Sequence, residues 1–152
     1  MHTNSKNLND GKAFQLDVKR WFEDHYHFDF EIEKKIAIGC PPKLHRFDIS
    51  DRDAQIVIEC KCYTWTKTGN VPSAKMGFVN EAAFYLSFLD PEVEKFIVML
   101  KDERKEKNGR KKETLAEYYF RTNRHLLGKI KIYEYDSAKN DMRLIGQNDY
   151  DH

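Results

Sequence analysis

Apolar positions recur along this chain with two distinct periods, which divide it into helices and strands. Phe14, Val18, Trp21, Phe22 and His25 follow the i, i+4, i+7, i+8 spacing of one buried helix face, and Asp10 is the expected N-cap. The helix is predicted to end near His25, after a polar lead-in over 1–9. Phe30, Ile32, Ile36 and Ile38 then alternate with Glu31, Glu33 and Lys35, predicting a strand over 30–38. Gly39-Cys40-Pro41-Pro42 ends it, because proline cannot extend a ladder. His45–Lys61 reads as a β-hairpin interrupted at Ser50-Asp51-Arg52-Asp53. In its second strand Ile56, Ile58, Cys60 and Cys62 alternate with Val57, Glu59, Lys61 and Tyr63.

After a polar loop, Ser73 is the expected cap of a helix running to about Leu89, stopped by Asp90-Pro91. Val79, Ala82, Ala83, Leu86 and Leu89 form its stripe, widened by Phe78, Tyr85 and Phe88, so a buried central crossover is expected. Lys95–Leu100 is a continuous apolar run of the kind buried deep in a sheet. Strand, helix and strand in this order predict parallel pairing with right-handed connection. Residues 101–112 carry seven basic and three acidic side chains and read as a solvated loop, with an excess charge suited to a phosphate backbone. Thr114 and Glu117 form a capping-box pattern opening a second helix. A hairpin over 129–145 and a polar tail complete the chain. The fold class is α/β: a mixed central sheet flanked by helices, in one domain over 10–148. Its core is predicted over about 10–100, with a C-terminal helix and β-hairpin added over about 101–148.

Composition supports a packed globule: 40% of residues are hydrophobic and 13% aromatic. A net charge of +1 conceals 34% charged residues, so any nucleic-acid surface must come from local segregation of charge. No apolar run approaches a membrane span and no signal-peptide core opens the chain, so no membrane association and a cytoplasmic location are expected. Three cysteines, Cys40, Cys60 and Cys62, suit reduced thiols better than a disulfide framework. A zinc site from these and His45 is the structural alternative, but the paired spacings typical of zinc ligands are missing.

The chemistry concentrates in the hairpin. Strand side chains repeat every two residues, so Glu59 and Lys61 share one face. Antiparallel pairing brings Asp48 beside that face, with Phe47 and Ile49 expected to point the other way. Two carboxylates that close repel each other, and Mg²⁺, which accepts hard oxygens and keeps several waters, is a common resolution. A neighbouring ammonium orients a water or meets a phosphate charge. Asp48, ten intervening residues and Glu59-Cys60-Lys61 resemble the D-x(n)-(D/E)-x-K signature of the PD-(D/E)xK nuclease superfamily. Phe47 stands where a proline is usual, a position that varies widely in that superfamily.

The resemblance covers about residues 10–100. It implies a restriction-endonuclease-like core and a Mg²⁺-dependent endonuclease, with Mn²⁺ able to substitute, acting on nucleic acid and on DNA in particular. It implies Asp48, Glu59 and the backbone carbonyl of Cys60 as metal ligands, and Lys61 as the residue that positions or activates water. The implied products are a 5′-phosphate and a 3′-hydroxyl. Cutting both strands takes two such sites, so a homodimer or a partner subunit is expected. Members of the superfamily often open with a helix carrying a glycine and then a glutamate that faces the active site. Gly11 to Gln15 resembles that segment with glutamine in the acidic place, which makes Gln15 a candidate for bonding a metal-bound water. Lys75, in the first turn of the next helix, is a candidate for supporting the site from behind its ligands or for contacting a phosphate, against the competing and favoured reading of a surface lysine. Tyr63, Trp65 and Lys67 after the motif, and Arg121, Asn123, Arg124 and His125 near the second helix end, are candidate nucleic-acid contacts. The competing readings are Tyr63 continuing its strand, Trp65 covering the core edge, and the Arg/His set stabilising a helix C-terminus. The alternative function is a catalytically inactive nucleic-acid-binding or assembly module that keeps the fold.

Overall fold

A computed structural model describes residues 3–106 and 109–149; positions 1–2 of the lead-in, 107–108 of the basic run and 150–152 of the tail lie outside the described residues. The elements in order are α1 (Thr3–Tyr26), β1 (Phe30–Ile38), β2 (Lys43–Asp51), β3 (Ile56–Lys61), α2 (Ser73–Leu86) and β4 (Glu94–Leu100). Then follow β5 (Glu103–Arg104), β6 (Glu113–Thr114), α3 (Leu115–Asn123), β7 (Lys131–Asp136) and β8 (Asp141–Gly146). Six strands form one mixed sheet in the order β1-β2-β3-β4-β7-β8. Strands β3, β4 and β7 are mutually parallel, and the remaining pairings are antiparallel. The α/β class, with helices on both faces, is as the periodicities predict.

The two faces have separate cores. Phe14, Val18 and Phe22 of α1 pack on Phe30, Ile49, Ile58, Phe96 and Val98. On the other face, α2 and α3 set Val79, Ala83, Leu86, Leu115 and Tyr119 against Val57, Ile97, Met99 and Ile132. Among the described residues no helix is long and apolar enough to cross a membrane.

Local boundaries depart from the sequence pattern in ways that have physical causes. Helix α1 begins at Thr3, so Asp10 lies inside it; with no proline between Thr3 and Asp10, nothing stops an established helix from propagating toward the N-terminus. Pro72, not Ser73, precedes α2, which ends at Leu86 and continues as turns to Leu89. Phe78, Phe84 and Phe88 of that helix and its extension are exposed, so only one side is buried. Asp51 belongs to β2, and its carboxylate accepts the N–H groups of Gln55 (2.8 Å) and Ile56 (2.7 Å), narrowing the turn. The basic segment holds the small hairpin β5–β6, pinned by an Arg104–Glu113 ion pair at 3.3 Å. The Thr114/Glu117 capping box forms as expected.

One irregularity positions everything that follows. The β1–β2 ladder skips Glu33 and Asp48, and Glu33 adopts φ 52°. On one side of this point Phe30 and Ile49 face the α1 core. On the other side Ile36, Ile38 and Phe47 face the α2/α3 core. The two-stranded ribbon therefore exchanges its inward face at Asp48. Beyond the same point β2 parts from β3, whose ladder with β2 is confined to Ile49–Ile58 and Ser50–Val57. Strand β3 runs on beside β4 as far as Lys61–Met99.

Candidate active site

The opening between β2 and β3 is where the motif residues meet. With no ladder partner, Asp48 turns its side chain to the vacant strand edge, and Oδ2 accepts the Cys60 N–H at 2.8 Å. From the opposite face of the sheet, Gln15 Nε2 donates to the Asp48 carbonyl oxygen at 3.3 Å. Asp48 is thus held by its carboxylate on one side and its backbone on the other. Gln15 binds peptide oxygen of the motif strand and leaves the Asp48 carboxylate free to face β3. Phe47 does not point away from Glu59 as alternation predicts, because the exchange of faces at Asp48 turns it toward the α2/α3 core together with Val57.

Glu59 lies on the α2/α3 face of β3, one alternation beyond Val57, and is only 5% exposed. Its carboxyl lies beside that of Asp48. Burial first, then the Asp48 charge, push the Glu59 carboxyl well above its usual range, while Lys61 pulls the other way. The Glu59 carboxyl so placed keeps its proton unless a cation replaces it. Lys61 is half-buried at the end of β3 on the same face. Among the described residues none of the ion pairs involves Asp48, Glu59 or Lys61.

Around this triad stand residues from α2 and the distal part of β2. Lys75 Nζ lies 5.1 Å from the ring centre of Tyr63 and 5.9 Å from that of Phe78. Burial raises the Tyr63 hydroxyl pKa, with Asp48 and Glu81 adding to the shift. His45 stacks on Tyr85, centroids 3.8 Å apart, and meets Phe47 edge-on at 4.7 Å. Burial lowers the His45 pKa against the opposing pull of Asp48 and Glu81. His45 and Glu81 are therefore neighbours of the site that the hairpin pattern alone does not reveal. The signal for Glu81 is its place in the helical row Lys75, Phe78, Glu81, Tyr85, spaced at three, three and four residues.

The donor set suits a hard divalent cation. In an extended strand the N–H and C=O of one residue point to the same side, so the Cys60 carbonyl is directed into the gap where its N–H meets Asp48. Two carboxylates and a carbonyl are the partial oxygen set that Mg²⁺ completes with water and phosphate. Among the described residues no group of three or more His, Cys, Asp and Glu side chains is placed to hold a metal ion. The zinc alternative fails on placement: Cys60 and Cys62 pack in the α1 core, His45 stacks on the other face, and Cys40 is exposed.

The remaining candidates separate. Trp65 is buried; its backbone N–H donates to Asp102 Oδ2 at 2.8 Å and its indole N–H to the Asp102 carbonyl at 2.9 Å. Arg104 covers its ring at 4.2 Å, so Trp65 is a core residue and offers no face for a base. Lys67 is exposed on the loop beyond it. Arg121 pairs with Glu113 at 2.7 Å, Asn123 accepts from Asn80 at 3.2 Å, and Arg124 donates to Asn148 at 3.2 Å. These three hold the C-terminal extension together, and His125 is exposed in the 3₁₀ turn after α3. Compared with protein-family models, with curated proteins and with solved structures, the chain matches none.

Proposed function

We propose that the chain is a Mg²⁺-dependent endonuclease of the PD-(D/E)xK type that hydrolyses phosphodiester bonds in DNA. The observation that carries this reading is the buried Glu59 carboxyl beside the half-buried Asp48, a pair that enters no ion pair among the described residues and stands at an opened strand edge. A structural carboxylate pair is normally neutralised by a fixed basic group. This one is left to a proton or a metal.

In the proposed mechanism Asp48, Glu59 and the Cys60 carbonyl would hold the metal. Bound there, Mg²⁺ supplies polarisation of the phosphate and stabilisation of the leaving oxygen. Lys61 Nζ, on the same face as Glu59, hydrogen-bonds the attacking water and orients it for in-line displacement. Gln15 keeps the Asp48 segment in its kinked conformation through the backbone oxygen. Lys75, over the Tyr63 ring, meets the negative charge of the phosphate. Because one chain carries one such site, double-strand cutting requires a second copy or a partner subunit.

The second reading, a nucleic-acid-binding module without catalysis, has one observation in its favour: Gln15 brings no further negative charge to the site. Cleavage of supercoiled plasmid and of branched DNA with Mg²⁺ or Mn²⁺ separates the two. The nuclease reading expects metal-dependent cutting that falls at least about a hundredfold in Asp48→Ala and Lys61→Ala. Folded wild-type protein that is inert on every substrate would favour the silent module.

A further inference from the structure

A cavity opens at Thr64, just beyond Lys61, where the chain leaves the carboxyl end of β3. It encloses about 680 Å³ between the loop through Gly69 and the β5–β6 hairpin. Ligands of open α/β sheets bind beyond the carboxyl ends of parallel strands, and this volume falls within the range of about 300–1,000 Å³ usual for ligand sites.

Its walls are built and fixed. Thr66 and Asn70 close the loop through backbone and hydroxyl hydrogen bonds of 3.1 and 2.9 Å. Arg110 crosses the gap, donating to the Gly69 carbonyl at 3.1 Å and to Asn70 Oδ1 at 2.6 Å. The carboxylates in the lining already have partners: Asp102 Oδ2 takes the Trp65 N–H, and Glu103 pairs with Lys112 at 3.5 Å. Lys67, Lys105 and Arg110, by contrast, enter no ion pair among the described residues. The lining therefore holds four cations, Lys67, Arg104, Lys105 and Arg110, against the two carboxylates of Asp102 and Glu103, an excess of positive charge. With Trp65 buried under Arg104, it presents no aromatic face on which a base would stack.

We infer that this cavity is a phosphate-binding groove for one DNA strand, taking the backbone that runs past the cleaved bond and reading no sequence. The orientation of that strand rests on the proposed nuclease site; the groove itself rests on the cations and the cavity. Charge without a stacking surface is the pattern of backbone recognition, whose affinity falls steeply with salt.

The test is binding of a short fluorescent single strand, in EDTA to prevent cleavage, across a series of salt concentrations. Wild type is compared with Lys67→Glu/Lys105→Glu and with the milder Lys67→Gln/Lys105→Gln. Both lysines are exposed, and thermal melting establishes that each variant is folded. The expected result is a loss of roughly tenfold or more for the glutamate pair and a smaller loss for the glutamine pair. The salt slope should fall by about 0.7 for each phosphate contact removed. Hydrolysis of a small diester such as bis-p-nitrophenyl phosphate, too short to reach the cavity, should be unchanged in both variants. Equal binding by wild type and the glutamate variant overturns the groove even if plasmid cleavage is active. Absence of strand binding by wild type overturns it as well. Binding lost in the variants while wild type cleaves nothing would retain the groove and remove the nuclease reading.

Discussion

Glu59 on β3 and Glu134 on β7 are both more than nine-tenths buried, and both face the α2/α3 side of the same sheet. Their surroundings differ in kind. Glu134 Oε1 receives two donors from Arg143, at 2.8 and 3.2 Å, and Glu117 joins the same guanidinium at 3.4 Å. Glu59 meets another carboxyl instead, with Lys61 near but in no ion pair among the described residues. Arg143 neutralises the buried Glu134 charge through Oε1, although Oε2 has no hydrogen-bond partner. The Glu59 pair leaves the same electrostatic problem open, at a place where the strands have parted and solvent or ligand has access. Buried charge that the fold does not neutralise itself is the stronger sign of a working site.

Breaking the closed network should have the largest effect on stability. Arg143→Met strands the Glu134 carboxylate and is expected to lower stability by about 3 kcal/mol, toward the low end for a broken buried pair because Arg143 is itself half exposed. Urea denaturation measures this, and cleavage per folded molecule should be unaffected. At the open site the corresponding effect should come from metal. Mn²⁺ or Mg²⁺ at a hundredfold excess over its dissociation constant should stabilise wild type by about 2.7 kcal/mol. Asp48→Asn should abolish that gain, and a gain that survives the substitution would place the ion elsewhere.

A smaller effect sharpens the comparison through pH. Because the folded-state pKa of Glu59 is raised above the ordinary value of 4.5, the folded chain keeps a proton that the unfolded chain releases. The contribution of this group to metal-free stability is therefore greatest below about pH 4.5 and falls as pH rises through the folded value, by at most about 1.4 kcal/mol per pH unit. Glu59→Gln should flatten this slope in urea melts over the acid-to-neutral range. An identical slope in wild type and variant would contradict the raised Glu59 pKa.

Much of this contrast is legible in the order of residues along the chain. The alternation through Ile56–Tyr63 puts Glu59 and Lys61 on one face, and the β1 strand and the Thr114/Glu117 cap follow directly from local pattern. The exchange of faces at Asp48 does not, because it depends on Glu33 taking φ 52°, a left-handed conformation that no glycine marks. The β5–β6 pairing is equally hidden, since it joins charged residues inside a run that resembles a solvated loop. For Trp65 the local pattern allows both stacking on a base and entry into the core. Asp102, distant in sequence, decides the matter by accepting both of its N–H groups.

The most direct measurement compares the two regions within one assay: Mg²⁺-dependent cleavage of supercoiled plasmid by wild type, Asp48→Ala, Lys61→Ala and Arg121→Ala. Cutting is predicted for wild type and for Arg121→Ala, whose guanidinium serves the C-terminal extension, with a loss of at least about a hundredfold in the other two. Cutting that persists in Asp48→Ala and Lys61→Ala would contradict the assignment of the opened strand edge as the active site.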